Sequence, residues 1–324
     1  MLIAAAAIFA GFAILIWSAD LFIIGAAAIA RNMGMSPIVI GMTIVSIGTS
    51  APEVLVSLTA AFTGAGELAI GNAIGSNIAN IGMVLGITLL VTPFVVLQSA
   101  VKKELLILLA VTAVAGAMLA DNLLSGMEGW LLLAALALVM TYLLRSQATD
   151  AKLQEETNDE CLRELPTLRA WLTFATGLML LIASSRLLVW GAVITAEGLG
   201  VSELLIGLTV IAIGTSLPEL AATVTSARRG HTEIAIGNVI GSNLFNLLAV
   251  MAIPGIVSSQ SLASEVIGRD YPFMTLLTVL LASAVYIGGR RRKAPPGYAY
   301  LGRMVGWLLL TFYALYYYLL YLSF

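Results

Sequence analysis

The chain has 324 residues, of which 60% are hydrophobic and 10% charged, with a formal net charge of −2. A soluble globular domain carries about a quarter of its residues charged, so this composition excludes one. A single cysteine, Cys161, excludes an internal disulfide, and a single histidine, His231, excludes a histidine-rich metal centre.

Apolar runs recur along the chain at about 2–28, 36–62, 68–92, 103–120, 126–144, 170–196, 202–227, 234–257, 271–288 and 302–322. Each is long enough to cross a bilayer as a helix. Backbone polar groups need internal partners in lipid, so the spans are expected to be helices rather than strands. The first run, "MLIAAAAIFAGFAILIWSAD", has no basic start and outlasts an ordinary signal core, so it is expected to remain as a helix. The second is interrupted by "SIGTSAPEVLVS" (46–57), and the third carries "GNAIGSN" (71–77). After the fifth run comes the one extended polar stretch, "RSQATDAKLQEETNDECLRELPTLR" (145–169), too short for a domain of its own. The seventh run repeats the interruption as "AIGTSLPELAAT" (212–223), and the eighth carries "GNVIGSN" (237–243). The last run holds "YALYYYLLY" (313–321), read as an interfacial aromatic anchor.

Ten spans make nine loops on alternating sides, and the basic residues choose between the sides. Arg31, Lys102, Lys103, Arg145, Lys152, Arg163, Arg169, Arg228, Arg229, Arg290, Arg291, Arg292, Lys293 and Arg303 fall on one, which is fourteen of the 16 Lys and Arg residues. The positive-inside rule makes that side cytoplasmic and places both termini outside. The expected location is a prokaryotic inner membrane.

Residues 41–80 align with 207–246 at an offset of 166 without a gap, with 21 identities in 40 positions. Five spans per half is an odd number, so the second copy enters the membrane from the opposite side. The expected fold is therefore an all-α polytopic membrane protein: ten transmembrane helices as two inverted-topology five-helix repeats with discontinuous helices. The halves are 1–144 and 170–324, joined by the linker 145–169. Inverted repeats of this kind underlie many secondary transporters.

Proline removes an amide donor and disfavours helix at the residue before it, so Pro52 and Pro218 predict local unwinding around Thr49–Ala51 and Thr215–Leu217. Irregular backbone at membrane depth is tolerated where it lines a cavity. Ser50 and Ser216 add hydroxyls there, and Glu53 and Glu219 add carboxylates near the middle of their spans. A carboxylate at that depth costs several kcal/mol without a partner. No lysine or arginine stands at a matching depth nearby, so the natural partner is a cation or a proton. Oxygen-only donors suit hard cations: Ca²⁺, Na⁺ or Mg²⁺. In the second motif Asn72, Ser76 and Asn80 share a helix face, as do Asn238, Ser242 and Asn246. Gly71 with Gly75, and Gly237 with Gly241, give small surfaces for close helix contact.

Plainer readings apply elsewhere. Glu67 and Glu233 match across the repeat but stand at span ends, where solvation is expected. Asp20 and Arg186 hold equivalent positions with opposite charge, which fits a structural ion pair or hydration. An isolated proline kink is often mere shape, but two copies in inverted register, each with a glutamate, point to a site.

"GTSAPE…GNAIGSNIAN" and "GTSLPE…GNVIGSNLFN" resemble the α-repeats of the sodium/calcium exchanger family, in its compact prokaryotic form, over essentially the whole chain. The resemblance implies alternating-access exchange of Ca²⁺ for Na⁺, with the first and sixth spans sliding against a core. It implies Glu53 and Glu219 as central ligands, side-chain oxygens from Ser50, Ser216, Thr49 and Thr215, and backbone carbonyls from Ser46 and Ala212. Ser76 and Ser242 complete sodium sites, and Asn80 and Asn246 line the middle. Some relatives carry aspartate where Asn246 stands, so this chain is expected not to co-transport K⁺. Its partners are then Ca²⁺, Na⁺ and the bilayer, with no cofactor, nucleic acid or obligatory protein partner. The alternative is a divalent cation/proton antiporter. That branch places glutamate in a "GNxxE" pattern, whereas "GNAIG" and "GNVIG" end in glycine. A channel lacks the need for two inverted halves, and no nucleophile–base pair marks an enzyme.

Overall fold

Nine of the ten apolar runs fold as helices along their length, as chains with no other way to satisfy their amides in lipid must. The structure is a computed structural model that describes residues 2–146, 165–199, 212–290 and 294–322. In chain order the helices are α1 (Leu2–Met33), α2 (Pro37–Thr49), α3 (Ala51–Phe62), α4 (Gly66–Val91), α5 (Gln98–Asp121) and α6 (Gly126–Arg145). They continue as α7 (Thr167–Gly198), α8 (Ala212–Thr215), α9 (Leu217–Arg228), α10 (Thr232–Val257), α11 (Val266–Gly288) and α12 (Arg303–Leu322). Among the described residues eight helices are long and apolar enough to cross a membrane, or nine with α2 and α3 taken as one span bent by 47°. Of the remaining run, 202–211 lies outside the described residues, and α8 and α9 form the rest.

Small residues decide which spans are central. In α4 and α10, which carry the glycine–serine–asparagine motifs, 78% and 83% of the apolar window is buried. For α1, α6 and α12 the shares are 33%, 17% and 11%, which leaves them facing lipid. At α10 the approach to α2 is so close that a Cβ on Gly237 would stand 2.4 Å from the Ile38 carbonyl oxygen, and one on Gly241 2.4 Å from Met42 Cα. This is the close contact expected of the glycine pair. The matching contacts of Gly71 and Gly75 would fall on 204–208, outside the described residues.

The two longest helices, α1 and α7, pack antiparallel over their length. A Cβ on Gly25 would meet the Phe174 amide nitrogen at 2.4 Å, and one on Gly177 would meet that of Phe22 at 2.4 Å. The Phe22 and Phe174 rings fill the gap between the glycines with centroids 4.9 Å apart. Short antiparallel ladders tie loops together: β1 (Phe94–Leu97) with β4 (Tyr298–Leu301), and β2 (Leu123–Leu124) with β3 (Gln260–Ser261).

Of the two carboxylates at the span ends, Glu67 is exposed, as expected, whereas Glu233 is buried rather than solvated. Glu67 Oε1 accepts the Ala263 amide at 2.7 Å, and Glu233 Oε1 accepts the Leu97 amide at 2.8 Å. Each thereby fixes a loop of the opposite half, and Glu233 is buried while doing so. Asp20 differs too: its carboxylate takes both Nε and the terminal amine of Arg229, from the end of α9. The antiparallel register sets Arg186 beside residues near Ala13, roughly 10 Å along the axis from Asp20 at 1.5 Å per residue.

Candidate functional site

The helix break is smaller than Pro52 and Pro218 alone predict. It is confined to one residue in each copy, Ser50 (φ −81°, ψ 7°) and Ser216 (φ −87°, ψ 4°), with the proline in the first turn of the helix that follows. Proline at that position lacks only an N–H that a helix start leaves unused, so it is tolerated there. The amide of Ser50 still donates to the Ser46 carbonyl at 2.9 Å, so that carbonyl is not freed outright. Pro218 deprives Gly214 of its usual helical donor, and Ser185 Oγ from α7 donates to the Gly214 carbonyl instead, at 3.0 Å.

The two breaks face each other. Ser50 Oγ donates to Glu219 Oε1 at 3.3 Å across 169 residues of sequence. Thr49 Oγ1 lies 3.2 Å from Asn238 Oδ1 and 3.3 Å from the Ser46 carbonyl, and its one proton serves one of them at a time. Ser46 Oγ is turned back into its own helix, 2.7 Å from the Met42 carbonyl. Asn238 and Asn72 are anchored alike: Asn238 Nδ2 donates to Thr223 Oγ1 at 2.9 Å, and Asn72 Nδ2 to Ser57 Oγ at 3.3 Å. Asn72 Nδ2 also lies 3.2 Å from the Glu53 carbonyl oxygen.

Asn80 and Asn246 each begin a π-helical turn, Asn80–Leu85 and Asn246–Val250. The wider turn shifts the side chains that follow, and such turns recur at functional sites. The turn at Asn246 packs against α3, which carries Glu53, and the turn at Asn80 packs against α9, which carries Glu219.

The chemistry of the site lies in what its oxygens lack. Glu53 Oε2, Glu219 Oε2, Asn80 Oδ1, Asn246 Oδ1, Ser216 Oγ and Ser242 Oγ are all buried and have no hydrogen-bond partner among the described residues. Buried polar atoms are satisfied in the large majority of cases, so six exceptions drawn from one set of expected ligands form a pattern. All six can act as acceptors, and a bare cation is what a group of acceptors can share. Ser76 stands buried on the same α4 face, and Thr215 ends α8 directly before the second break. Ala212 opens α8, and its side chain lies outside the described residues.

Two residues to which the motif spacing assigns no role, Asn77 and Asn243, stand between the halves. Their signal was present in the identity of "GSN" in both copies; their partners were not.

Two stretches of the chain, 3–145 and 169–322, match the family model described as sodium/calcium exchanger protein. The chain is 43% identical over its full length, and over all of the relative, to the putative antiporter CaxA of Alkalimonas amylolytica. It is 29% identical to the sodium/calcium exchanger MaX1 of Methanosarcina acetivorans, over 86% of this chain and 90% of that one. Its fold is similar to that of the sodium-calcium exchanger NCX_Mj soaked with Na⁺ and Ca²⁺, with a TM-score of 0.80, 28% identity and 96% of each chain covered. With both halves matched and the motif residues assembled around buried, unpartnered oxygens, the chain belongs to the sodium/calcium exchanger family.

Proposed function

We propose that this protein exchanges Ca²⁺ for Na⁺ by alternating access through one oxygen-lined site shared by two inverted five-helix halves, 1–144 and 170–324. The observation that carries the reading is the set of buried acceptors without partners among the described residues, with a carboxylate, an asparagine and two serines from the second half and a carboxylate and an asparagine from the first. Glu53 and Glu219 are the central ligands in this reading. Ser50, Thr49, Thr215, Ser216, Asn80 and Asn246 stand around them, with Ser46 and Ala212 supplying backbone carbonyls and Ser76 and Ser242 completing sodium sites. Two carboxylates balance one Ca²⁺ without residue, whereas three Na⁺ would leave one positive charge.

The antiparallel pair α1 and α7 is a suitable moving body. Its seam is glycine against backbone, its remaining surface largely faces lipid, and it joins the core along α9 and the breaks. In this reading the termini lie outside and the basic loops lie in the cytoplasm.

The test is ⁴⁵Ca²⁺ uptake into proteoliposomes loaded with Na⁺ or choline at equal pH on both sides. Uptake that needs internal Na⁺ supports the reading. A second reading, divalent cation/proton antiport, has one observation behind it: a proton on Glu53 or Glu219 also supplies the partner that each Oε2 lacks. Uptake indifferent to Na⁺ and driven by a pH step would replace the first reading with the second.

A further inference from the structure

Asn77 and Asn243 lie at equivalent positions of the two halves, and so do Asn80 and Asn246. These four side chains make two reciprocal hydrogen bonds. Asn80 Nδ2 donates to Asn243 Oδ1 at 3.1 Å, and Asn246 Nδ2 donates to Asn77 Oδ1 at 3.1 Å. Each bond is the image of the other under exchange of the halves, as contacts across a two-fold axis must be.

An amide has two ends, and the bond made by one end directs the other. With the NH₂ of Asn80 held by Asn243, its Oδ1 is buried and left without a partner; the same is true of Asn246, held by Asn77. Reversing either pair would put an NH₂ where the unpartnered oxygen now stands, and an NH₂ repels a cation. Asn77 is itself fixed, since its Nδ2 donates to the Asn243 carbonyl at 3.1 Å and contacts the Met274 sulfur at 3.5 Å.

We propose that Asn77 and Asn243 are positioning residues that act across the boundary between the halves, Asn243 aiming the carbonyl of Asn80 and Asn77 aiming that of Asn246 at the transported cation. The inference rests on the exchanger reading and deepens it. It implies crossed dependence: each half of the site is oriented by the other half, so neither can shift without its counterpart.

The experiment is equilibrium ⁴⁵Ca²⁺ binding to the purified protein, with size-exclusion profiles as the check on folding. Outer residues that orient ligands typically change metal affinity by about 10–100-fold. Asn243→Leu, which removes the acceptor and adds no charge, is expected to weaken Ca²⁺ binding by about tenfold. It should cause no further loss in an Asn80→Ala background, yet its full loss in an Asn246→Ala background. Asn77→Leu should show the reverse pattern. Asn243→Asp keeps the oxygen that Asn80 needs and gives up only Nδ2, which has no partner among the described residues. Its binding should be no weaker than wild type, which also decides the matter if the leucine variant fails to fold. Equal losses in both backgrounds, or an aspartate variant as weak as the leucine one, would overturn the inference with the exchanger reading intact. A wild-type protein that binds no Ca²⁺ would overturn both.

Discussion

Ser50, at the break between α2 and α3, donates its hydroxyl proton to the Glu219 carboxylate of α9 at 3.3 Å. The helix interruptions are therefore one feature seen from two sides. Each supplies part of a surface that neither half encloses alone, and the second oxygen of each glutamate has no hydrogen-bond partner among the described residues.

Glu53→Gln and Glu219→Gln keep shape and remove charge. Each should lower ⁴⁵Ca²⁺ uptake by at least about 100-fold, the upper end of what even indirect changes to a metal site produce. Membrane insertion and elution volume should be unchanged, because glutamine keeps the shape of glutamate and, at position 219, still accepts from Ser50. Wild-type flux in either variant would sink the midplane site.

Asn246 offers a neutral oxygen, so Asn246→Asp raises the formal charge of the cluster from −2 to −3 if all carboxylates ionise. The expected result is altered dependence of uptake on Na⁺, K⁺ and pH with the fold intact. Ion-dependence curves that superimpose on wild type would remove Asn246 from the ligand set.

Asp20 and Arg229 join α1 to the end of α9 beside a cavity of about 440 Å³ lined by Ala13, Ile16, Trp17, Thr225 and Arg228. The Asp20 side chain remains 46% exposed and that of Arg229 35%, a setting in which ion pairs contribute about 0.2–1 kcal/mol. Asp20→Asn should therefore change the uptake rate by up to about fivefold, by releasing α1 from α9. Salt screens such a pair, so the difference between wild type and variant should shrink at high ionic strength. A difference unaffected by salt would mean that the pair does not act through charge.

Gly25 and Gly177 face the backbone of the opposite long helix, where an added Cβ stands 2.4 Å from an amide nitrogen. Gly25→Val or Gly177→Val must push α1 and α7 apart, at a cost of about 1–3 kcal/mol. Thermal melting of the purified protein should shift down for both. Unchanged melting in either would mean that the seam is looser than its geometry requires.

How much of this was legible beforehand differs from residue to residue. Glu53 and Glu219 stand out because a charge in an apolar run has few uses, and Asn80 and Asn246 because helical spacing sets them on a face with Ser76 and Ser242. The break is shorter than the prolines alone predict: proline removes one donor, and at Gly214 a hydroxyl from α7 takes its place. A span end usually meets water, which holds for the exposed Glu67 and not for the buried Glu233. Their partners, the amides of Ala263 and Leu97, lie 196 and 136 residues away.

The sequence by itself determined that the chain lives in a membrane, that its helices break in two matching places, and which residue types bring oxygen there. Those conclusions need only composition, the 3.6-residue period and self-alignment, all of them local or internal to the text. Tertiary structure decided which oxygens are left without partners, that Asp20 meets Arg229 rather than Arg186, and that Asn77 and Asn243 reach across to the opposite half. Such pairings depend on how helices far apart in the chain cross in space, and residue order alone carries no distance between them.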